Sequence, residues 1–388
     1  MIHEDCELSG QRRPKIQVRR VYIGLMSGTS MDAVDAALVD FSNYPPQLIA
    51  THKTYLSDAL RADLNTLCHA HAFTITQLAE LDVKVAYAFS EAVEALLKKT
   101  PFTKNDILAI GSHGQTVFHY PQHRYPFTIQ IGDPNLIAEN TGITTIADFR
   151  RRDIAAGGQG APLTPAFHNF IFRNPKEDRI VLNLGGIANL TYLPANTNAP
   201  VIGFDTGPAN LLLDKWIYRH RKQWFDPEGQ WAASALFDKG LLAQCLSDPY
   251  FLLKPPKSTG YDYFNLAWLD KQLQQYNKSL TPAIVQATLC ELTTTSIAMA
   301  IEQLNSVHSI ILLCGGGSKN TYLKKRLENR CQSHRVQLCD DFGVPAEWME
   351  AMAFAWFAKQ TLGGKTSTLP EVTGARKPTV LGGIYLKD

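Results

Sequence analysis

The sequence predicts a duplicated α/β fold, two lobes facing each other across a cleft. Three observations carry that expectation. The order strand–strand–strand–helix–strand–helix–strand appears twice along the chain. In each half the first and fourth strands run into glycine turns. The length, 388 residues, exceeds what one compact core accommodates, so two lobes are expected.

In the first half, Val21–Met26 is an apolar strand that breaks at Gly28-Thr29-Ser30, and the alternation over Val34–Phe41 and Leu48–Tyr55 adds two strands. Apolar residues at three- and four-residue steps predict a helix over 75–99. A short strand, Asp106–Ile110, ends in Gly111-Ser-His-Gly-Gln-Thr116. A helix near Pro134–Asn140 and a strand at Thr144–Asp148 close the half. His119 and His123, split by Tyr120-Pro121, are expected in a solvated loop.

The second half begins with Arg179–Leu184, which enters the turn Gly185-Gly-Ile-Ala-Asn189 and returns as a hairpin at Leu190–Leu193. Pro200–Asp205 is the third strand. Thr206-Gly-Pro-Ala-Asn210 then leads into a helix with Pro208 in its first turn. Thr281 and Pro282 suit the cap and first turn of a long helix reaching about Leu304. The strand Ser309–Cys314 runs into Gly315-Gly-Gly317, followed by a basic helix near Asn320–Arg330 and a strand at Val336–Asp340. The expected division is an extension over 1–20, a first lobe over 21–155 and a second lobe over 156–388 with an insertion at about 217–280. This repeated order is that of RNase H-like lobes in the actin, Hsp70 and hexokinase-like fold, where ATP lies between the lobes.

The turns carry the chemistry. Gly28, Thr29 and Ser30 offer bare backbone N–H groups and two hydroxyls, which suits a phosphate, although a plain β-hairpin explains them too. Asp32 and Asp35 place carboxylates where Mg²⁺ on a nucleotide would take oxygen ligands. A second phosphate turn falls either at Asn183–Asn189, with Gly186 and Asn189, or at Asp205–Asn210, with Gly207. Gly315, Gly316 and Gly317 would let backbone approach a nucleoside closely. Asp205 ends an apolar strand before a helix N-terminus, the place for a carboxylate that orients or deprotonates a nucleophile; an ordinary capping aspartate is the alternative. Arg150, Arg151 and Arg152 beside a glycine-rich segment could clamp a carboxylate or phosphate.

Composition narrows the function classes. Charged residues are 19% and the formal net charge is +2 without a long basic run, which disfavours nucleic acid. The first twenty residues are charged rather than apolar, and no stretch reads as the roughly 20 apolar residues of a membrane span. Seven scattered cysteines without a Cys-x-x-Cys pair point to reduced thiols and a cytoplasmic protein.

Taken together, Gly24-Leu-Met-Ser-Gly-Thr-Ser-Met-Asp-Ala-Val-Asp35, Gly111-Ser-His-Gly-Gln-Thr116, Ala147-Asp-Phe-Arg-Arg-Arg-Asp153 and Ala156–Leu163 resemble the signatures of the anhydro-N-acetylmuramic acid kinases. So do Asn183–Asn189, Gly203–Asn210, Pro256-Lys-Ser-Thr-Gly260, Cys314–Gly317 and Trp348–Phe354. Ala33 stands where glycine is frequent in that family. The resemblance implies an ATP- and Mg²⁺-dependent enzyme of cell-wall recycling that opens 1,6-anhydro-N-acetylmuramic acid with water and phosphorylates O6. It implies Asp205 as the base, and Gly28, Thr29, Ser30, Met31, Asp32, Ala33, Val34 and Asp35 as the ATP loop, with Asp32 near the metal. Glu350, Arg150 and His113 would face the sugar. Partners are then a small amino sugar and ATP, with no nucleic acid or membrane, and a homodimer stays open. A sugar kinase of the same fold that does not use water is the nearest alternative; a sugar-responsive repressor would need a DNA-binding helix pair that residues 1–20 are too short to form.

Overall fold

The computed structural model describes residues 20–28, 30–69 and 73–388. The N-terminal extension up to residue 19 and Thr29 of the first glycine turn lie outside the described residues.

The first-lobe sheet forms around β1 (Val21–Met26), whose six residues are all buried, as a continuous apolar run requires of a central strand. Antiparallel β2 (Ala33–Asp40) and β3 (Gln47–Tyr55) lie on one side of it, and β4 (Ile107–Ser112) runs parallel on the other. A separate hairpin of β5 (Gln115–Tyr120) and β6 (Phe127–Ile131) projects after β4, and β7 (Thr145–Ala147) pairs with β4. Helix Ile75–Leu97 covers the outer face, started by a reciprocal capping box between Thr74 and Gln77.

The second lobe repeats the pattern. β8 (Arg179–Leu184), β9 (Ile187–Leu193) and β10 (Ile202–Pro208) form an antiparallel meander; β11 (Ile310–Cys314) and β12 (Arg335–Leu338) continue it in parallel beside β8. The order β10-β9-β8-β11-β12 matches β3-β2-β1-β4-β7 position for position. The fold is therefore the duplicated RNase H-like α/β architecture of the actin, Hsp70 and hexokinase-like class. Helix Pro282–Glu302, capped by Thr281, is long and apolar enough to cross a bilayer, contrary to the sequence expectation, but it lies buried in the second-lobe core.

Several local expectations change. Pro208 ends β10 rather than opening a helix, and Asn210–Arg221 is the helix that follows. The stretch expected as a solvated loop around His119 is the β5–β6 hairpin. The C-terminal segment does not stay with the second lobe: β13 (Gly383–Tyr385) pairs with β7, completing the first sheet, and helix Met349–Leu362 lies on β1 and β4. That helix, with Thr164–Phe172, fills the space between the two sheets. There Ala351, Phe354 and Trp356 share a cluster with Tyr22 of the first sheet and Leu312 of the second.

The seat of this helix depends on two cross-strand neighbours, Gly24 of β1 and Gly111 of β4. A Cβ on Gly24 would stand 1.8 Å from the Ala351 carbonyl oxygen, and one on Gly111 2.0 Å from that of Phe354. Only glycine permits this approach. Gly111→Ala should lower unfolding stability by about 2–3 kcal/mol through overpacking, read by urea denaturation. Leu108→Ala, on the same strand but 43% exposed, should cost under about 1 kcal/mol.

Candidate active site

The C-terminal ends of β1, β4, β8 and β11 converge on a cleft of about 740 Å³ between the lobes. Ligands of open α/β sheets sit at such strand ends. Each strand delivers a turn into it: Ser27-Gly28 after β1, His113 after β4, Gly185-Gly186 after β8 and Gly315-Gly316 after β11.

On the first-lobe wall, Gln115 of β5 shapes the opening turn. Its Oε1 accepts the buried Ser27 hydroxyl at 2.7 Å and its Nε2 donates to the Gly28 carbonyl at 3.2 Å. Gly28, Ser30 and Asp35 face the cleft, whereas the side chains of Met31, Ala33 and Val34 are buried and Met31 and Val34 pack in the first-lobe core. Asp32 is exposed, and its carboxylate receives the Ser30 hydroxyl instead of lining the cavity. Asp35 is the carboxylate that does line it. Burial pushes Asp35 up from the ordinary carboxylate pKa, opposed by Lys53, its neighbour on β3 at 3.4 Å.

A row of three cross-strand neighbours runs along the second-lobe side of the cleft: Asn183 on β8 and Asn189 on β9 line the cavity, and Asp205 on β10 lies beside Asn189, outside the lining. Asn183 Nδ2 donates to Asn189 Oδ1 at 3.2 Å, and Asn189 Nδ2 donates to Asp205 Oδ1 at 2.6 Å. The Thr259 N–H donates to the other oxygen, Oδ2, at 2.9 Å, and the Asp205 N–H donates to the Lys257 carbonyl at 3.0 Å. Burial raises the Asp205 pKa; the Thr259 and Asn189 bonds and the Lys257 charge act against that rise. The result is a fixed, partly desolvated carboxylate that binds a proton more strongly than a solvated aspartate. The segment Lys257–Tyr261, part of the expected insertion, thus builds the site rather than spacing it.

Arg150, His113 and Glu350 also line the cleft, His113 buried, Arg150 half-buried and Glu350 exposed to the cavity. Arg150 Nε donates to His113 Nε2 at 2.9 Å and its Nη1 to the Gly160 carbonyl at 2.9 Å. Burial and the adjacent guanidinium hold His113 well below the usual imidazole pKa, so Nε2 stays an acceptor. Glu350 is reached by cleft water yet enclosed by protein. That enclosure raises its pKa against the pull of Arg150. His119 also lines the cavity, lowered to about 4 by burial and Arg150.

A second hollow of about 320 Å³ opens behind the glycine turn, lined by Gly316 and Gly317 with Asn210, Asp214, Phe225 and Asn320. Gly317 faces this hollow rather than the main cleft, and Gly207 lies buried against Phe251 and Ser296, outside both. Burial and the neighbouring Asp226 push Asp214 up to about 7 against the opposing Lys215. Sequence reasoning named the glycines but missed Gln115, Lys53, Lys257, Thr259, Glu347 and Lys319. Of these, Gln115 and Lys257–Thr259 sat within recognisable motifs, while Lys53, Glu347 and Lys319 carried no local signal.

The family model described as anhydro-N-acetylmuramic acid kinase matches residues 20–387. The chain is 50% identical over 364 residues to an anhydro-N-acetylmuramic acid kinase of Coxiella burnetii, covering 94% of this chain and 97% of that one. It is 48% identical over 371 residues to the protein of the same name from Pasteurella multocida, covering 95% and 97%. Among solved structures, component A of the (R)-2-hydroxyglutaryl-CoA dehydratase of Acidaminococcus fermentans superposes with a TM-score of 0.48 at 11% identity, over 87% of this chain and 97% of that one.

The buried imidazoles yield a test. His168, held at about 3 by burial, and His113 are both depressed relative to an unfolded value near 6.5. Stability from keeping them neutral is present above that value and is lost as pH falls through it, because the unfolded chain then binds more protons. Their ring ¹⁵N resonances should keep neutral-tautomer shifts from pH 8 to about 5. A titration of His113 centred near 6.5 would contradict the assigned bond from Arg150.

Proposed function

The chain belongs to the anhydro-N-acetylmuramic acid kinase family, and from that premise we propose that it uses ATP and water to convert 1,6-anhydro-N-acetylmuramic acid into N-acetylmuramic acid 6-phosphate and ADP. The observation that carries this is Asp205: a half-buried carboxylate oriented by Asn189 and the Thr259 amide, two residues that line the cleft opposite the Gly28 turn.

In this proposal the ATP phosphates lie between the Gly28–Ser30 and Gly185–Gly186 turns. The nucleoside passes over Gly315–Gly317 into the second hollow, where the exposed Phe225 ring can stack on the base. The sugar lies against Arg150, His113 and Glu350. Arg150 has Nε and Nη1 engaged by His113 and Gly160, which leaves Nη2 for the lactyl carboxylate.

Asp205 accepts a proton from water as the water oxygen bonds to the anomeric carbon. The C1–O6 bond breaks, and its electrons stay on O6. O6 then attacks the γ-phosphorus, and the bond from that phosphorus to the bridging oxygen breaks to release ADP. Exclusion of bulk water by the two lobes limits wasteful hydrolysis of ATP.

Mg²⁺ fits as the companion of the nucleotide. Among the described residues no group of three His, Cys, Asp or Glu side chains could cage an ion, and Mg²⁺ is commonly held by substrate phosphates plus one or two carboxylates. Asp35, which lines the cleft, suits that part better than the exposed Asp32. The metal would spread the charge of the transferring phosphoryl group.

Asp205→Asn should retain thermal stability and binding of a non-hydrolysable ATP analogue while kcat falls by roughly 10²–10⁴-fold, the usual share of a general base. Since the base must be ionised and its pKa is raised, the acid limb of kcat in the parent should lie above about 4. Mass spectrometry of the parent reaction should find the 6-phosphate and ADP. Near-normal turnover in Asp205→Asn would remove Asp205 from this role.

A further inference from the structure

A chain of charges links the two lobes across the cleft, and apart from Asp35 it takes no part in the chemistry above. Lys53 Nζ on β3 lies 3.1 Å from Glu347 Oε1 and 3.4 Å from Asp35 Oδ1. Lys319, just beyond the triple-glycine turn of the second lobe, reaches the other oxygen of the same glutamate, Oε2, at 3.3 Å. One carboxylate therefore holds a lysine from each lobe. Glu347 comes from the short turn Ala346–Trp348 at the head of the central helix, and Trp348 stacks beneath the Lys53 ammonium at 5.8 Å. All four charged groups line the main cavity, and Lys319 borders the second hollow as well. Lys319 thus stands where the two cavities meet, and Lys53 stands in the main cleft with Gly28 and Ser30.

We propose that Glu347 is a resident anion that occupies Lys53 and Lys319 in the empty enzyme and is displaced from them by the β- and γ-phosphates of the nucleotide, so that the two lysines are phosphate ligands and Glu347 sets their availability. This rests on the nucleotide-binding reading of the cleft. The charge count supports it. Without nucleotide, two lysines face two carboxylates, Asp35 and Glu347, and the group is balanced. Arrival of a triphosphate leaves Glu347 facing like charge at close range, a repulsion relieved only if it gives up its lysines. Lys53 keeps its charge in this setting: burial works against it, but Asp35 and Glu347 outweigh burial and hold its pKa above the ordinary value. The bond from Lys53, opposed by partial burial and joined by Lys319, holds Glu347 below its own. Glu347 and Lys319 keep 44% and 74% of their side-chain surface exposed, so the exchange needs rotamer changes and no backbone rearrangement.

The test is calorimetric titration of the full-length parent, Glu347→Gln and Lys319→Gln with adenosine, AMP, ADP and a non-hydrolysable ATP analogue. Glu347→Gln should tighten the triphosphate by up to roughly fivefold, the range an exposed ion pair commands, with a smaller gain for ADP and none for adenosine. Lys319→Gln, whose exposed side chain makes misfolding no concern, should weaken the triphosphate and leave adenosine unchanged. The parent's triphosphate affinity should also fall more steeply with salt than that of Lys319→Gln. Equal shifts for adenosine and triphosphate, or weaker triphosphate binding in Glu347→Gln, would overturn the proposal. A parent that binds none of these ligands would instead sink the nucleotide reading itself.

Discussion

The contact on which the structure depends is the bare-backbone seat of helix Met349–Leu362 on Gly24 and Gly111. Because no Cβ intervenes on either strand, the helix lies nearer the sheet than side chains would allow. From that position its other faces pack against helix Thr164–Phe172 and the second sheet, so the two lobes share one buried cluster. The N-terminal end of the helix is thereby fixed at the floor of the cleft. Met349 and Glu350 line the cavity because of it, as does Glu347 in the turn just before. A constraint between two glycines and two carbonyls thus sets which side chains of this segment line the cleft.

The second-lobe wall uses another device for the same purpose. Asn183, Asn189 and Asp205 are successive members of one row across three antiparallel strands, so the register of the meander aligns them. Burial raises the energy of the Asp205 carboxylate while two donors keep it oriented and ionisable. Desolvation with retained hydrogen bonds is how a carboxylate becomes a useful base near neutral pH. The Lys257–Tyr261 segment supplies one of those donors, which ties the long insertion directly to the proposed base.

Much of this was legible in the chain because it is written locally. Continuous apolar runs ending in glycine marked β1, β8 and β11, and Thr281-Pro282 marked the start of the long core helix. The β5–β6 hairpin was not legible, because Gln115–Tyr120 and Phe127–Ile131 mix polar and aromatic residues around Pro121 and Pro126. Helix Met349–Leu362 shows no amphipathic period, since it is buried on nearly all sides by both lobes. The return of β13 to the first sheet is a long-range pairing with no sequence signature. Within the site, the Gly28–Asp35 turn was visible as a unit, but the division of labour along it was not: Met31 and Val34 turn to the core while Asp35 faces the cleft. The Lys53–Glu347 pair joins residues 294 apart in sequence, and only the folded chain brings them together.

In the proposed reaction, water activated by Asp205 opens the anhydro bridge in the same turnover that phosphorylates O6. Running the reaction in H₂¹⁸O and fragmenting the product in a mass spectrometer, with quenching faster than anomeric exchange, tests it most directly. One ¹⁸O at the anomeric carbon and none in the phosphoryl group is the predicted result. A phosphorylated product with unlabelled C1, or label in the phosphoryl group, would contradict it.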